Sequence, residues 1–203
     1  MCVPSAETAS SPGGVNALEL PPSGQFKWIS PDGARIIFSF NGSLSDADTD
    51  GSPDLYEYAH GTTSLLSTGT TDNGSGFVTF AGASEDADRV LFRTPDRIEP
   101  GDADDSIDLY ERHAGTTTRI SFGPGTGNAA KDIVFGSLSA DGARAWFETA
   151  ERMLPASDTD SAIDVYEQAI LAPANTVAPA ISGAPVEGSA VLCTNGTLSL
   201  IHI

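Results

Sequence analysis

An acidic stretch at residues 46–57 constrains the fold of this chain more than any other feature, because the stretch recurs. Shorter copies of it lie at residues 102–111 and 158–167. Every copy contains two Asp separated by one residue, a third Asp four positions later, and then an apolar residue, Tyr and Glu. A motif that returns at a fixed interval indicates a repeat architecture, in which each repeat is one supersecondary unit.

Residues outside the motif keep the same interval. Three Arg and three Phe recur at steps of 54 or 55 positions, namely Arg35, Arg89 and Arg144, and Phe26, Phe80 and Phe135. Around them, short alternating apolar runs separated by Gly, Pro, Asp and Ser predict β-strands joined by tight turns. The predicted strands are residues 26–30, 35–40, 55–59 and 62–67 in the first repeat, 78–83, 89–94, 109–112 and 116–122 in the second, and 134–138, 144–149 and 165–169 in the third.

The second strand of each repeat has apolar residues on both of its faces, as Ile36, Ile37 and Phe38 show in the first repeat. Such a strand is covered on both sides, so we expect each sheet to lie between neighbouring layers. No segment keeps a 3.6-residue apolar period, and the predicted fold class is therefore all-β. The third repeat has residues 170–173 where the others have Gly-Thr-Thr, so it is expected to lack its own fourth strand.

Composition restricts the partners of the chain. The formal net charge of −18 argues against nucleic acid, whose phosphates would be repelled, and favours a cation or a well-solvated surface. No apolar run is long enough to span a bilayer, so no transmembrane segment is expected. Cys2 and Cys193 stand alone near the two ends and do not form a zinc site. No signal peptide is visible in residues 1–5, so the chain is either cytoplasmic or an interior piece of a longer secreted protein, and the repeats favour the interior piece.

Residues 30–38 (Ser-Pro-Asp-Gly-Ala-Arg-Ile-Ile-Phe), 54–57 (Asp-Leu-Tyr-Glu) and 61–67 (Gly-Thr-Thr-Ser-Leu-Leu-Ser) together resemble the blade of bacterial TolB-type β-propellers. The resemblance implies three consecutive four-stranded antiparallel blades of an incomplete propeller. Propellers close with about four to eight blades, so it also implies further blades upstream. The implied organisation is a loose lead-in (1–24), blades at about 25–76, 77–132 and 133–172, and then a linker with the truncated start of an immunoglobulin-like module (173–203).

The first acidic stretch has the spacing of a calcium loop. Asp46, Asp48, Asp50, Asp54 and Glu57 occupy positions one, three, five, nine and twelve, with a Gly at position six. Such spacing wraps carboxylate and carbonyl oxygens around one Ca²⁺ ion. Because its flanks are predicted strands rather than helices, the stretch is similar to the hairpin calcium loop of integrin-type propellers. These five residues are the predicted metal ligands, and Ca²⁺ is the predicted cofactor.

Other interpretations of the acidic stretches remain open. Asp, Ser, Thr and Gly also form solvated turns that cap their own backbone. The second and third copies have Pro100 and Ala156 where the first has Asp46, so metal binding in these copies is left open. We also expect Arg35 to pair with Asp54, and the equivalent residues to pair in the other repeats, because an Arg on a doubly covered strand needs a partner.

The chain contains no nucleophile elbow, paired-His zinc helix or phosphate loop, and no catalytic residue is predicted. The predicted function is that of a non-enzymatic propeller module in an extracellular or cell-envelope protein, which binds an unidentified protein or glycan or serves as a scaffold. The alternative is an accessory, substrate-gating propeller of a larger prolyl-oligopeptidase-like hydrolase.

Overall fold

A computed structural model describes residues 8–10, 16–18, 20–71, 73–125, 127–170, 174–177, 180–182, 192–194 and 197–199. The chain forms two compact units, Met1–Gln168 and Ala169–Ile203. All regular secondary structure in the described residues is β-strand, as the sequence predicts. None of the described residues belongs to a helix with the length and apolarity needed to cross a membrane.

Three antiparallel sheets make up most of the first unit. The first contains β3 (Gln25–Ile29), β4 (Arg35–Asn41), β5 (Pro53–Ala59) and β6 (Thr62–Leu65) in that order. The second contains β7 (Thr79–Ala83), β8 (Arg89–Thr94), β9 (Asp108–His113) and β10 (Thr116–Arg119) in that order. The third contains β11 (Val134–Leu138), β12 (Arg144–Thr149) and β13 (Asp164–Ala169). Within the described residues no fourth strand pairs with β13, so the third sheet has three strands, as expected for this repeat.

Six short strands lie outside these sheets. In the first unit β1 (Thr8–Ser10) pairs with β2 (Asn16–Leu18). In the second unit β14 (Ala174–Val177) pairs with β17 (Thr197–Ser199), and β15 (Ala180–Ser182) pairs with β16 (Leu192–Thr194). The other residues of the predicted immunoglobulin-like segment at 173–203, and most of the predicted lead-in at 1–24, lie outside the described residues.

The turn between the first two strands has the same backbone geometry in every repeat. Its third residue has a positive φ, which is 72° at Gly33, 55° at Ala87 and 69° at Gly142. Gly adopts this conformation at little cost, whereas an L-residue such as Ala adopts it less readily. The predicted Pro-Asp-Gly turn is therefore present in the first repeat, and the second repeat keeps its geometry without Gly.

The first strand of each sheet also carries an irregularity at one conserved place. Its register with the second strand shifts between Phe26 and Trp28 in β3, between Phe80 and Gly82 in β7, and between Phe135 and Ser137 in β11. Such a β-bulge bends the strand and increases its twist. Each sheet is therefore twisted at its first strand in the same way.

The core lies both within and between the first two sheets. Ile37 and Leu55 of the first sheet pack with Val90, Phe92 and Tyr110 of the second, and all five are buried. Neighbouring residues Ile37 and Phe38 point to opposite faces of β4, yet each is 0% exposed. The sequence-based expectation that the second strand is covered on both sides is confirmed here.

The predicted pairing of Arg35 with Asp54 is wrong. Arg35 lies opposite Ala59 at one end of β4, whereas Asp54 lies opposite Phe40 near the other end. The repeated arginines pair instead with the Glu of the acidic motif, as Arg35–Glu57, Arg89–Glu111 and Arg144–Glu167. Asp54 is therefore not held by this arginine.

Contacts between successive repeats also involve the turns that join the first two strands. Arg35 Nη1 donates a hydrogen bond of 2.6 Å to Ala87 O in the turn of the second repeat. In the same way Glu85 N donates a hydrogen bond of 3.0 Å to Ala140 O in the turn of the third. Each repeat is thus linked to the next through equivalent turns.

Candidate metal centre

Each acidic stretch brings three carboxylates together. The groups are Asp48, Asp50 and Asp54, then Asp102, Asp104 and Asp108, and then Asp158, Asp160 and Asp164. In each group the three Asp residues offer oxygen atoms that lie within 4.8 Å of one another. We call these the first, second and third acidic loops. Three carboxylates at this separation could hold one metal ion, although exposed acidic groups are also common without one.

In each loop, one oxygen of the first Asp and one oxygen of the second accept hydrogen bonds from the backbone of the loop itself. Asp48 Oδ1 accepts a hydrogen bond of 3.1 Å from Asp50 N, and Asp50 Oδ1 accepts one of 2.5 Å from Ser52 N. The same two contacts recur in the second and third loops. The turn-forming role considered for these residues is therefore real, and it occupies one oxygen of each of the first two Asp.

A Tyr of the core holds the first Asp of every loop. The Tyr56 hydroxyl donates to Asp48 Oδ2, and the Tyr56 ring stacks on Phe38 with ring centroids 5.8 Å apart. Burial and the Asp48 carboxylate raise the pKa of Tyr56, so its hydroxyl remains a donor. The second and third repeats repeat the arrangement, with Tyr110 on Asp102 and Tyr166 on Asp158. The aromatic core therefore fixes the position of each loop.

Asp54 is the most deeply buried carboxylate of the first loop, at 2% exposure. Its Oδ1 accepts a hydrogen bond of 2.6 Å from Ser67 Oγ. Its Oδ2 is buried and has no hydrogen-bond partner among the described residues. A buried carboxylate oxygen without a partner is costly, because it has lost its water and gained nothing in return. Oδ2 is therefore the atom of this loop that a bound cation would satisfy.

The surroundings of Asp54 disfavour its charged form. Burial raises the pKa of Asp54 to about 7, and the charges of Asp48 and Asp50 act in the same direction. The hydrogen bond from Ser67 and the nearby amide of Asn73 oppose this rise without reversing it. Without a cation, Asp54 therefore takes up a proton near neutral pH.

This pKa predicts how stability depends on pH when calcium is removed by a chelator. The folded pKa of about 7 lies above the ordinary value of 3.8, so folding favours protonated Asp54. Its stabilising contribution is complete below pH ~4 and is lost as the pH rises through ~7. Relative to Asp54→Asn, the unmodified chain should lose roughly 2–3 kcal/mol of unfolding free energy between pH 5 and 8, measured by urea unfolding. A constant difference between the two proteins would contradict the raised pKa.

The structure separates the five predicted ligands. Asp48, Asp50 and Asp54 lie together, but Asp46 and Glu57 do not belong to their group. Asp54 and Glu57 both lie in β5, where successive side chains alternate between the two faces of the sheet. Because they are three residues apart, Glu57 points to the face opposite to Asp54. Glu57 lies near Arg35 on that face, with 3.5 Å between Oε1 and Nε. The loss of Asp46 in the other repeats thus removes no member of the group.

Two residues of the first loop environment are not identified by sequence reasoning. Ser67 holds Asp54, and its equivalent Ser121 holds Asp108. Asn73 Nδ2 donates to Asp50 Oδ2 at 3.1 Å and its Oδ1 accepts from Thr49. The Ser could have been found from the sequence, because it follows the third Asp by 13 residues in both repeats.

The second loop contains a cation of its own. Arg119 Nη1 lies 3.3 Å from Asp108 Oδ2 and 3.5 Å from Asp102 Oδ1. Burial nevertheless raises the pKa of Asp108 to about 7, against the opposing effects of Ser121 and Arg119. In the first loop no ion pair joins a described Lys or Arg to any of the three Asp.

The third loop is more open than the other two. Asp158 and Asp164 are half-buried and Asp160 is exposed, whereas Asp48, Asp54 and their equivalents in the second loop are buried. Exposed carboxylates keep much of their hydration, so a cation gains less by replacing it. Of the three loops, the first therefore has the strongest need for an added ion.

Together these features define an all-β repeat protein with an acidic loop able to hold a cation in each repeat. Comparison with known protein families and with curated proteins finds no match to this chain.

Proposed function

We propose that this chain is a calcium-stabilised, non-enzymatic β-propeller module that serves binding or scaffolding in an extracellular or cell-envelope protein. The observation that carries the proposal is the unpartnered Asp54 Oδ2, which is buried within a group of three carboxylates. A calcium ion there offsets two of the three charges of Asp48, Asp50 and Asp54 and supplies the missing partner of Oδ2.

The chemistry of the loop favours Ca²⁺ over Mg²⁺. Ca²⁺ accepts six to eight oxygens in flexible arrangements, whereas Mg²⁺ requires near-octahedral geometry and retains several waters. Asp48 and Asp54 are 5% and 2% exposed, so an ion between them must give up much of its water. Extracellular calcium modules bind at about 0.1–1 mM, which fits an extracellular or envelope setting.

The arrangement of the sheets supports the propeller part of the proposal. In propellers, successive four-stranded sheets are arranged around an axis as blades. Here the first and second sheets share a core, and the ring of Phe135 in β11 lies beside Gly82 in β7. The sequential order of strands within each sheet agrees with that of a blade.

The exposed face of the third sheet supports the presence of further blades. The apolar residue of the acidic motif is 0% exposed at Leu55 and at Leu109. Leu55 packs with buried residues of the following sheet. The equivalent Val165 is 67% exposed, and nearby Ile163 is 70% exposed. A further blade on this face would bury both residues, as the second sheet does for Leu55.

Urea unfolding with calcium or with a chelator tests the calcium site, with the fluorescence of Trp28 and Trp146 as the signal. At ~1 mM free Ca²⁺, a site with a Kd of ~0.1 mM raises the unfolding free energy by about 1.4 kcal/mol. The increase should disappear in Asp54→Asn and should be much smaller when Mg²⁺ replaces Ca²⁺. An unfolding curve that calcium does not change would refute the site.

A further inference from the structure

We propose that Arg119 takes the place of the metal ion in the second acidic loop, so that this loop is neutralised by the chain itself while the first loop depends on calcium. The proposal rests on the proposed function for the first loop only. It predicts that the first and second loops, which have three Asp at equivalent positions, differ in their need for an added cation because only the second has Arg119.

Strand register shows that Arg119 in the second repeat and Leu65 in the first occupy equivalent positions. Arg119 pairs with Tyr110 across β10 and β9, and Leu65 pairs with Tyr56 across β6 and β5. Residues directly opposite each other in a sheet project from the same face. The side chain beside the loop-holding Tyr is therefore a guanidinium in the second repeat and an isobutyl group in the first.

The guanidinium of Arg119 is surrounded by oxygen atoms, as a metal ion would be. Besides its contacts with Asp102 and Asp108, Nη1 donates to Gly127 O at 2.8 Å and to Asn128 Oδ1 at 2.9 Å. Nη2 donates to Gly101 O at 3.0 Å. Arg119 is only 9% exposed, so carboxylates and carbonyls replace its water. Because a guanidinium remains charged at all physiological pH values, this neutralisation does not depend on the solvent.

The first loop shows what the same geometry looks like without the guanidinium. Leu65 is 5% exposed and belongs to the apolar cluster of Phe38 and Tyr56. The side chains that donate to its carboxylates are neutral: the Tyr56 and Ser67 hydroxyls and the amide of Asn73. Among the described residues, no cationic side chain compensates the carboxylates of this loop.

The two arrangements imply different responses to calcium. In the second loop an added ion has to displace Arg119, which would leave a buried guanidinium without its partners. In the first loop an added ion displaces only water. Calcium should therefore bind the first loop and not the second, although Asp104 Oδ2 is a buried carboxylate oxygen without a hydrogen-bond partner.

Matched substitutions at Asp50 and Asp104 test this difference, with isothermal calorimetry of CaCl₂ binding to the full chain. Both residues accept a hydrogen bond through Oδ1 from the residue two positions on, and Asn retains that acceptor. Asp50→Asn should reduce the number of bound calcium ions by one, and Asp104→Asn should leave it unchanged. Loss of an ion in Asp104→Asn would overturn the role assigned to Arg119.

Arg119→Leu provides the converse test, because it copies the first repeat into the second. This variant should bind one more calcium ion than the parent chain. Arg97→Leu is the control, since Arg97 is a half-exposed residue that pairs with Asp105 of the second loop at 3.0 Å and its removal changes the net charge equally. The control should bind no additional ion.

The outcomes separate the two proposals. A parent chain that binds calcium, together with Arg119→Leu that folds and gains no ion, would overturn the inference and leave the first site intact. Absence of calcium binding in both the parent and Arg119→Leu would overturn the proposed function and the inference that rests on it. If Arg119→Leu does not fold, the comparison of Asp50→Asn with Asp104→Asn decides the question.

Discussion

Replacement of Glu111 by Gln is expected to destabilise the chain by about 3 kcal/mol, because it leaves a buried arginine without its counter-charge. The side chains of Arg89 and Glu111 are each only 10% exposed, and their ion pair crosses from β8 to β9. Gln keeps the shape of Glu and one oxygen acceptor but loses the charge. The loss should appear as a lower midpoint of urea unfolding.

The third repeat supplies the matched control. Arg144 and Glu167 form the same pair, but their side chains are 60% and 43% exposed. Exposed ion pairs contribute roughly 0–1 kcal/mol, so Glu167→Gln should have a small effect. Equal losses from Glu111→Gln and Glu167→Gln would show that burial of the pair is not what determines its contribution.

Replacement of Tyr56 by Phe is expected to destabilise the chain by about 2 kcal/mol and to weaken calcium binding to the first loop. The Tyr56 hydroxyl donates to the Asp48 carboxylate, and hydrogen bonds to charged groups contribute roughly 1.5–3 kcal/mol. Phe keeps the ring that stacks on Phe38, so the change is confined to the hydroxyl, which also accepts from Leu44 N at 3.3 Å and lies 3.1 Å from Gly42 O. Unfolding and calorimetry measure the two effects separately.

Tyr58→Phe is the control for this prediction. Tyr58 lies two residues further along β5 and packs against the same cluster as Tyr56, but no hydrogen bond of its hydroxyl is seen among the described residues. Its replacement should change the unfolding free energy by less than ~0.5 kcal/mol. A Tyr56→Phe variant that behaves like Tyr58→Phe would mean that the loop positions Asp48 without the tyrosine.

The strands could be predicted closely because the three repeats act as copies of one pattern. The predicted bounds of β8, β11 and β12 agree with the structure. The fourth strands end earlier than predicted, at Leu65 and Arg119. There the Ser67 hydroxyl accepts a hydrogen bond of 3.0 Å from Leu55 N, so a side chain replaces the ladder.

The acidic loop was only partly predictable. Spacing alone predicts that Asp48, Asp50 and Asp54 come together, because these residues are close in sequence and lie in or beside one turn. Spacing does not predict where Glu57 lies, because β5 begins at Pro53 and the alternation of side chains along a strand places Glu57 on the face opposite to Asp54. The role of Arg119 could not be read from the motif, because Arg119 follows the motif and reaches the loop only through strand pairing.

Strands β3, β7 and β11 lie at sheet edges, and each is interrupted by a bulge at the same position. A regular edge strand offers a row of N–H and C=O groups on which another chain can extend the sheet. The bulge breaks this row and twists the edge, so a second strand cannot align along it. We therefore expect strand addition and the growth of cross-β fibrils to be disfavoured at these three edges.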